Sequence, residues 1–264
     1  MHAAVTGAAG AAVISIREVT VRFGGILALD GVGFDIIAGE ILGLIGPNGA
    51  GKTTLFNCLS RLYTPTSGDI EFEGESILGL EPHRIAGLGI GRTFQNVAAF
   101  SNLSVRDNIR VGGHSATVGD PITDAFRLGR ARRERAKIDR TAQDLIDWLD
   151  LGEVAELPVA GLPFGWQKRV EMARALATEP KLLLLDEPAA GLNHDEVEAL
   201  GDLIRRVRDE RGVTVLLVEH HMSLVMSVSD RVVVMNFGRK IAEGPPAAVQ
   251  QNPEVVAAYL GGGE

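Results

Sequence analysis

The stretch ILGLIGPNGAGKTT, residues 41–54, decides the fold of this chain. Five apolar residues of strand length come first, and the pattern G-x-x-x-x-G-K-[ST] follows, with Gly46, Gly51, Lys52 and Thr53 at its fixed positions. A helical run comes next, and a phosphate-binding loop requires this order of strand, loop and helix. The stretch therefore predicts an α/β protein with a P-loop NTPase core.

The glycines let the loop curl so that consecutive backbone N–H groups point inward, beside the positive N-terminal end of the following helix. Lys52 then reaches the β- and γ-phosphates, and the Thr53 hydroxyl ligates Mg²⁺. The alternative is a plain glycine-rich turn, which the strand–loop–helix context disfavours. A nucleotide is thus expected to bind at Gly46, Asn48, Gly49, Ala50, Gly51, Lys52, Thr53 and Thr54.

An acidic pair ends a second apolar run, KLLLLDEP at residues 181–188. Successive side chains leave a strand tip in different directions, so one carboxylate can face a metal and the other an attacking water. Asp186 is expected to bind Mg²⁺ through water, and Glu187 to polarise the nucleophile. An acidic pair before proline usually starts a turn or helix, and only the phosphate loop upstream favours catalysis.

A third apolar run, VTVLLVEHH at residues 213–221, ends in histidines. His220 is predicted to contact the γ-phosphate as a neutral imidazole, against the alternative of a solvent-facing residue at a helix N-terminus. His221 is assigned to that second role. Glu219 is the alternative residue for polarising the water if Glu187 does not do so.

The rest of the chain supplies further elements. Short β-branched runs at 13–21 and 33–37 predict strands, and SGDIEFEGESI predicts a hairpin that turns at Gly74. Helical patterns dominate about 97–178, a predicted helical subdomain. Strands that alternate with helices predict a parallel sheet covered on both faces, beside an antiparallel β subdomain.

The predicted organisation is a disordered tail (1–12) followed by one nucleotide-binding domain (13–264), whose C-terminal extension begins near 238. Within that domain, Val197, Leu200, Leu203, Ile204 and Val207 share one face of a predicted helix.

Composition excludes several classes of protein. The 264 residues carry 26 basic and 34 acidic side chains, a net charge of −8, so nucleic acid is not an expected partner. The single cysteine, Cys58, excludes an internal disulfide or a cysteine metal cluster and is expected in the core. No apolar run approaches the roughly 18 residues of a membrane span, and the start lacks the basic segment of a secretory signal.

Several motifs in one order resemble the ATP-binding subunit of an ABC transporter. These are VRFGG with Phe23, the phosphate loop, RTFQN with Gln95, residues 162–174, LLLLDEP, AGLN and VEHH. The resemblance implies that Phe23 stacks on adenine, that Gln95 ligates Mg²⁺ and senses the γ-phosphate, and that His220 contacts it. It also implies a sandwich dimer, in which Gly165 and its helix close on the partner's ATP.

The subgroup most similar to this chain is the branched-chain amino acid importer type, through GIGRTFQNVAAFSNLSVRDNI, DEPAAGLN and NPEVVAAYLG. That similarity implies a non-identical second ATP-binding subunit, two integral membrane permease subunits and, indirectly, a substrate-binding protein, at the cytoplasmic face of the membrane. The alternative is a soluble ABC-type ATPase outside transport. Such relatives usually show zinc-binding cysteines, long coiled-coil insertions or two fused ATPase units, which this sequence lacks.

Two positions depart from the family pattern. Where the common signature is L-S-G-G-Q, this chain has Leu162, Pro163, Phe164, Gly165 and Trp166, so the serine hydroxyl that would bond the partner's γ-phosphate is missing. Proline is tolerated in a first helical turn, and Gly165 with the helix dipole can still face an anion. Asn193 also replaces the usual aspartate of the SALD loop.

A basic segment, RLGRARRERAKIDR at 127–140, is most often a solvated helix face. Contact with anionic lipid headgroups is the second interpretation. Trp148 and Trp166 are expected in the core or at an interface.

Overall fold

The computed structural model describes residues 10–93, 100–115 and 128–260. No helix in these ranges is both long enough and apolar enough to span a bilayer. The strands are β1 (Ala12–Phe23), β2 (Ile26–Ile37), β3 (Ile41–Ile45), β4 (Ser67–Phe72), β5 (Glu75–Ser76), β6 (Ile90–Arg92), β7 (Leu182–Asp186), β8 (Thr214–Val218), β9 (Arg231–Asn236) and β10 (Arg239–Gly244). The helices are α1 (Lys52–Leu59), α2 (Pro82–Leu88), α3 (Val105–Ser115), α4 (Leu128–Trp148), α5 (Phe164–Leu176), α6 (His194–Arg211), α7 (Met222–Val228), α8 (Pro246–Gln250) and α9 (Pro253–Leu260).

The N-terminal strands form an antiparallel sheet in the order β2-β1-β4-β5. β1 pairs with both β2 and β4, and Ile14 and Ile16 on β1 are fully buried. The predicted hairpin is confirmed, with β4 and β5 joined through Gly74 in a left-handed conformation (φ +84°). This sheet is the expected antiparallel subdomain.

The central sheet has the order β10-β9-β3-β8-β7-β6. β3, β6, β7, β8 and β9 run parallel, whereas β10 is antiparallel to β9. The predicted parallel sheet is therefore confirmed, and it carries one antiparallel edge strand, because the two-residue turn at Phe237 and Gly238 leaves no room for a crossover. The parallel strands β3, β7 and β8 end at the same edge, where their C-terminal residues meet.

Helices cover the central sheet and complete its core. The five predicted apolar residues of α6 are all buried, as the helical period requires. Cys58 on α1 is buried and unpaired, as expected of a small core residue. Between β6 and β7 the described chain is mainly helical, with α3 packed against both α4 and α5.

Candidate nucleotide site

The phosphate loop follows β3, whose five residues are all buried. Gly46 has φ +153°, and a Cβ atom there would lie 2.2 Å from the backbone oxygen of Met235, so the loop can pass β9 only with glycine. Gly51 precedes α1 with φ +98° and would meet Ala28 in the same way, at 2.7 Å. These close approaches fix the path of the loop before α1 begins.

Lys52, the first residue of α1, turns its side chain back across the loop. Its Nζ donates hydrogen bonds to the backbone oxygens of Gly46 (2.6 Å) and Pro47 (3.1 Å). Burial lowers the pKa of Lys52, while the carboxylates of Glu187 and Asp186 act in the opposite direction. The cation thus lies at the mouth of the loop, close to both carboxylates.

The start of α1 offers backbone donors to an anion. The helix has no side-chain cap and no acidic residue in its first turn, so its N-terminal N–H groups and its dipole face outward. Thr53 is exposed and Thr54 half-buried, and Asn48 and Gly49 lie exposed at the loop tip, whereas Ala50 is buried. The predicted phosphate-binding residues therefore lie in one continuous loop and in the first turn of α1.

Asp186 ends β7 with its side chain only 2% exposed. Its Oδ2 atom has no hydrogen-bond donor, and the nearest cationic group is Arg92 Nη2 at 3.6 Å. Burial raises the pKa of Asp186, Arg92 and Lys52 oppose that rise, and Glu187 and Glu219 add to it. A buried carboxylate oxygen without a donor is suited to a divalent cation or to its water ligands.

The donor set suits Mg²⁺ in particular. The described residues contain no group of three or more His, Cys, Asp or Glu side chains that could hold a metal by themselves. Mg²⁺ does not need such a cage, because it commonly keeps several waters and binds one or two protein oxygens plus substrate phosphates. Thr53 and Asp186 supply oxygens of that kind.

Glu187 leaves β7 in the left-handed region, with φ +47°. For a residue other than glycine this conformation costs on the order of 1–3 kcal/mol, and it persists here with the Glu187 N–H bonded to Val218 O at 2.8 Å. The Glu187 side chain is 39% exposed, and its Oε1 lies 3.8 Å from Nδ1 of His220. The two predicted catalytic side chains therefore meet beyond the ends of β7 and β8.

The neighbouring residues separate into distinct roles. His221 is the N-cap of α7, as its assignment to a helix N-terminus requires, and its Nδ1 lies 3.1 Å from Ser223 Oγ. Glu219 is fully buried, and three backbone N–H groups donate to its carboxylate. The interpretation of Glu219 as an alternative base is therefore wrong, because its oxygens are bonded and shielded from water.

Two other predicted contacts surround this centre. Phe23, at the end of β1, is 45% exposed and meets Tyr63 edge-on, with 5.2 Å between ring centroids. An exposed aromatic face of this kind can stack on a base. Gln95 lies outside the described residues, so its predicted role stays a prediction.

Arg92 was missed by sequence reasoning, although it lies in the quoted GIGRTFQN stretch. Its guanidinium donates to Asn57 Oδ1 (3.0 Å) on α1 and to Oγ of Ser60 (2.6 Å), the C-cap residue of that helix, and lies 4.6 Å from the centre of the Phe56 ring. From there it faces Asp186. A lone arginine gives no pattern in the sequence, because its partners are brought together only by the sheet order.

Tyr259 on α9 was also missed. Burial raises the pKa of Tyr259 to about 12, and a hydrogen bond with the Gly46 backbone acts in the opposite direction. The C-terminal segment thus reaches the first residue of the phosphate loop. The sequence analysis includes Tyr259 only within the NPEVVAAYLG stretch and predicts no role for it.

The predicted signature segment begins α5, with one correction. Pro163 is the N-cap residue (φ −53°, ψ 150°), one position before the helix, rather than a member of its first turn. Its carbonyl accepts hydrogen bonds from Trp166 and Gln167, but its side chain cannot cap. Gly165 lies in the first turn, half-buried.

Asn193 has a local role of its own. As N-cap of α6 its side chain accepts a hydrogen bond from the Glu196 N–H (3.0 Å), and the Glu196 carboxylate accepts one from the Asn193 N–H (2.9 Å). This reciprocal capping box occupies the side chain where the family usually has aspartate.

The remaining predictions concern the surface. Trp148 is half-buried between Arg206 and Arg211 and donates to Glu210, and Trp166 is half-buried beside Arg169. Arg132, Arg133 and Arg135 are exposed on α4, which fits a solvated face and leaves lipid contact a hypothesis.

A phosphate loop beside the ends of β7 and β8, where Asp186, Glu187 and His220 lie, defines a P-loop nucleotide-binding protein. The chain belongs to the ABC transporter family, as one of its ATP-binding subunits. The family model described as ABC transporter matches residues 29–190, and the model described as branched-chain amino acid ATP-binding cassette transporter matches residues 239–264.

Similar proteins agree with this assignment over almost the whole chain. The chain is 43% identical to the high-affinity branched-chain amino acid transport ATP-binding protein BraF of Pseudomonas aeruginosa, over 94% of this chain and 98% of BraF. It is 40% identical to LivG of Escherichia coli K12, a protein of the same description, over 94% of this chain and 97% of LivG.

Solved structures share the fold. A crystal structure of an ABC transporter cassette in its ADP conformation superposes with a TM-score of 0.83 at 29% identity, covering 95% of this chain and 99% of that one. A dimeric cassette bound to ADP and phosphate gives 0.71 at 25% identity, covering 88% and 98%. The predicted α/β fold and the predicted resemblance are both confirmed.

Proposed function

We propose that the chain energises an importer of branched-chain or related amino acids by hydrolysing ATP at a site shared with a second ATP-binding subunit. The observation that carries the proposal is the convergence of Lys52, Asp186, Glu187 and His220 beside the phosphate loop. The names of the relatives and of the C-terminal family support the choice of cargo.

In this proposal the phosphate loop and the N-terminus of α1 hold the β- and γ-phosphates, and Lys52 exchanges its bonds to the loop carbonyls for bonds to phosphate oxygens. Mg²⁺ supplies charge neutralisation when bound, and Thr53, Asp186 and Gln95 are the residues proposed to hold it. Phe23 orients the nucleotide by stacking on adenine.

Glu187 then orients the attacking water and accepts its proton. His220, whose Nδ1 lies 3.8 Å from Glu187 Oε1, contacts the γ-phosphate. Half exposure suits Glu187 for this role, because its carboxylate can reach a water that the fully buried Asp186 cannot. Positioning and charge stabilisation are the main needs of phosphoryl transfer.

The proposed partners are a paralogous ATP-binding subunit, or a second copy, and integral membrane permease subunits at the cytoplasmic face, which receive cargo from a substrate-binding protein. Gly165 at the start of α5 is proposed to face the partner's ATP. No nucleic acid partner is proposed.

Purification from membranes in mild detergent tests this proposal. The tagged chain should bring down integral membrane subunits, and ATP hydrolysis by the reconstituted complex should rise when the substrate-binding protein is loaded with leucine, isoleucine or valine. Capture of soluble proteins alone would overturn the proposed transport function and favour a soluble ATPase. Stimulation by an unrelated ligand would overturn only the cargo.

A further inference from the structure

Glu219 follows β8 directly, and its carboxylate is fully buried. Oε1 accepts a hydrogen bond from the Ala189 N–H at 2.7 Å, and Oε2 accepts from His220 N–H at 3.0 Å and from His221 N–H at 3.2 Å. One side chain therefore holds three backbone donors on two loops that lie 30 residues apart in the chain.

Those two loops carry the proposed catalytic pair. Ala189 lies two residues after Glu187, and His220 follows Glu219 itself. A second hydrogen bond, from the Glu187 N–H to Val218 O at 2.8 Å, joins the same two segments where they leave β7 and β8. These two links join the loops that carry Glu187 and His220, whose Oε1 and Nδ1 atoms are 3.8 Å apart.

We infer that Glu219 is a positioning residue for ATP hydrolysis, which fixes Glu187 and His220 relative to each other by binding both loops at once. The inference rests on the proposed roles of those two residues. Glu219 touches neither the nucleotide nor the water in this proposal, since both of its oxygens face backbone N–H groups.

The chemistry of the contact requires a carboxylate rather than an amide. A glutamine of the same shape has one accepting oxygen, and its NH₂ group can only donate. If the oxygen stays on Ala189, the NH₂ group opposes the N–H groups of His220 and His221; if the amide flips, the bond to Ala189 is lost. Glu219→Gln therefore breaks one link in either orientation while the volume is kept.

The test compares Glu219→Gln with wild type in the reconstituted complex. We expect kcat to fall tenfold or more, while the KM for ATP and the calorimetric ATP affinity of the chain change less than threefold. Glu219→Asp, which keeps the charge but is shorter, should lie between the two. Unchanged kcat, or a parallel loss of ATP affinity, would overturn the inference.

Two further variants separate this role from general damage. Glu40→Gln is the matched control, because Glu40 is also a largely buried carboxylate that accepts a backbone N–H, from Ile37 at 2.7 Å, but it lies between β2 and β3. It should leave kcat unchanged. In a Glu187→Gln background, Glu219→Gln should lower kcat by a far smaller factor than in wild type, because there is no base left to position. An equal fold-loss of kcat in both backgrounds would contradict the inference.

These outcomes are separate from those for the proposed function. A wild-type complex that neither binds nor hydrolyses ATP would overturn the proposed function. An active complex in which Glu187→Gln is harmless would overturn the assigned roles. An active complex that needs Glu187 but tolerates Glu219→Gln would overturn only the positioning role.

Discussion

At the residue scale, Glu187 combines an exposed carboxylate with a strained backbone held by a strand bond. Glu187→Gln should keep ATP binding, since the phosphate loop is unchanged, and should lose hydrolysis by on the order of 10² or more, the usual contribution of a positioned base. ATPase rates of the reconstituted complex and calorimetry on the chain check both halves. Near-normal turnover would mean that the base lies elsewhere, and Glu219 is already excluded by its burial.

Lys52 is proposed to bind the phosphates of ATP rather than to activate water. Lys52→Ala removes the cation next to the phosphates and should weaken ATP affinity, by about tenfold or more if the lost contact is worth the 1.5–3 kcal/mol of a charged hydrogen bond. Calorimetry with Mg²⁺ measures this directly. Unchanged affinity would count heavily against the phosphate-loop assignment, whereas Glu187→Gln serves as the control that should bind normally.

The burial of Asp186 suits its proposed role at Mg²⁺ but should make the folded chain less stable when its carboxylate is ionised. Because burial raises its pKa, the folded chain holds this proton to higher pH than the unfolded chain does, so ionised Asp186 lowers the free energy of unfolding. The penalty is absent below the usual carboxyl pKa of about 4 and complete above the raised pKa of the folded state.

Asp186→Asn should therefore raise the melting temperature at pH 7, measured without nucleotide or Mg²⁺, and the gain should shrink toward pH 4. Asp202→Asn is the control, because Asp202 is exposed beside Arg205 and its substitution should change little. A lower melting temperature for Asp186→Asn at neutral pH would show that the ion pair with Arg92 outweighs burial.

At the element scale, α5 begins without a side-chain cap because Pro163 occupies the N-cap position. Serine is among the favoured residues there, so Pro163→Ser should stabilise the isolated chain by up to about 1 kcal/mol. It also restores a hydroxyl for the partner's γ-phosphate. Turnover of the reconstituted complex should stay level or rise, while the isolated chain should show the change in melting only. A marked fall in turnover would mean that proline itself is required.

Sequence reasoning reached the elements whose signals are local. The phosphate loop, the buried strands and the apolar face of α6 follow from spacing and period alone, as does the Asp186–Glu187 strand tip. The links made by Arg92 and Glu219 did not, because each joins residues about 30 or more positions apart that only the sheet order brings together. β10 was missed as an antiparallel edge strand because strand direction depends on the length of the preceding turn.

At the scale of the whole molecule, the proposed function gives one chain two half-sites with different roles. The phosphate loop serves its own ATP, whereas the start of α5 is proposed to serve the ATP of a partner. Substitutions in the two halves should therefore have different effects. Changes in the loop should alter the ATP affinity of the isolated chain, whereas changes at the start of α5 should leave that affinity unchanged and alter the turnover of the complex.

Gly165 tests that separation. Gly165→Asp places a negative charge at the entrance of α5, where it should repel the partner's phosphates and lower turnover of the complex by about tenfold, one unfavourable charge contact being worth 1.4 kcal/mol or more. The helix dipole favours an aspartate in a first helical turn, whereas the Glu196 carboxylate opposes it, because a Cβ at residue 165 would lie 3.0 Å from Glu196 Oε1. The melting temperature of the isolated Gly165→Asp chain is therefore measured alongside, and the turnover result counts only for a folded variant. Gly165→Ala is the control, because it adds the same Cβ next to the Glu196 side chain, 3.0 Å from Oε1, without adding a charge. ATP affinity of the isolated chain should equal wild type in both variants. A loss of affinity in the isolated Gly165→Asp chain would place Gly165 at the chain's own nucleotide and would contradict the shared site.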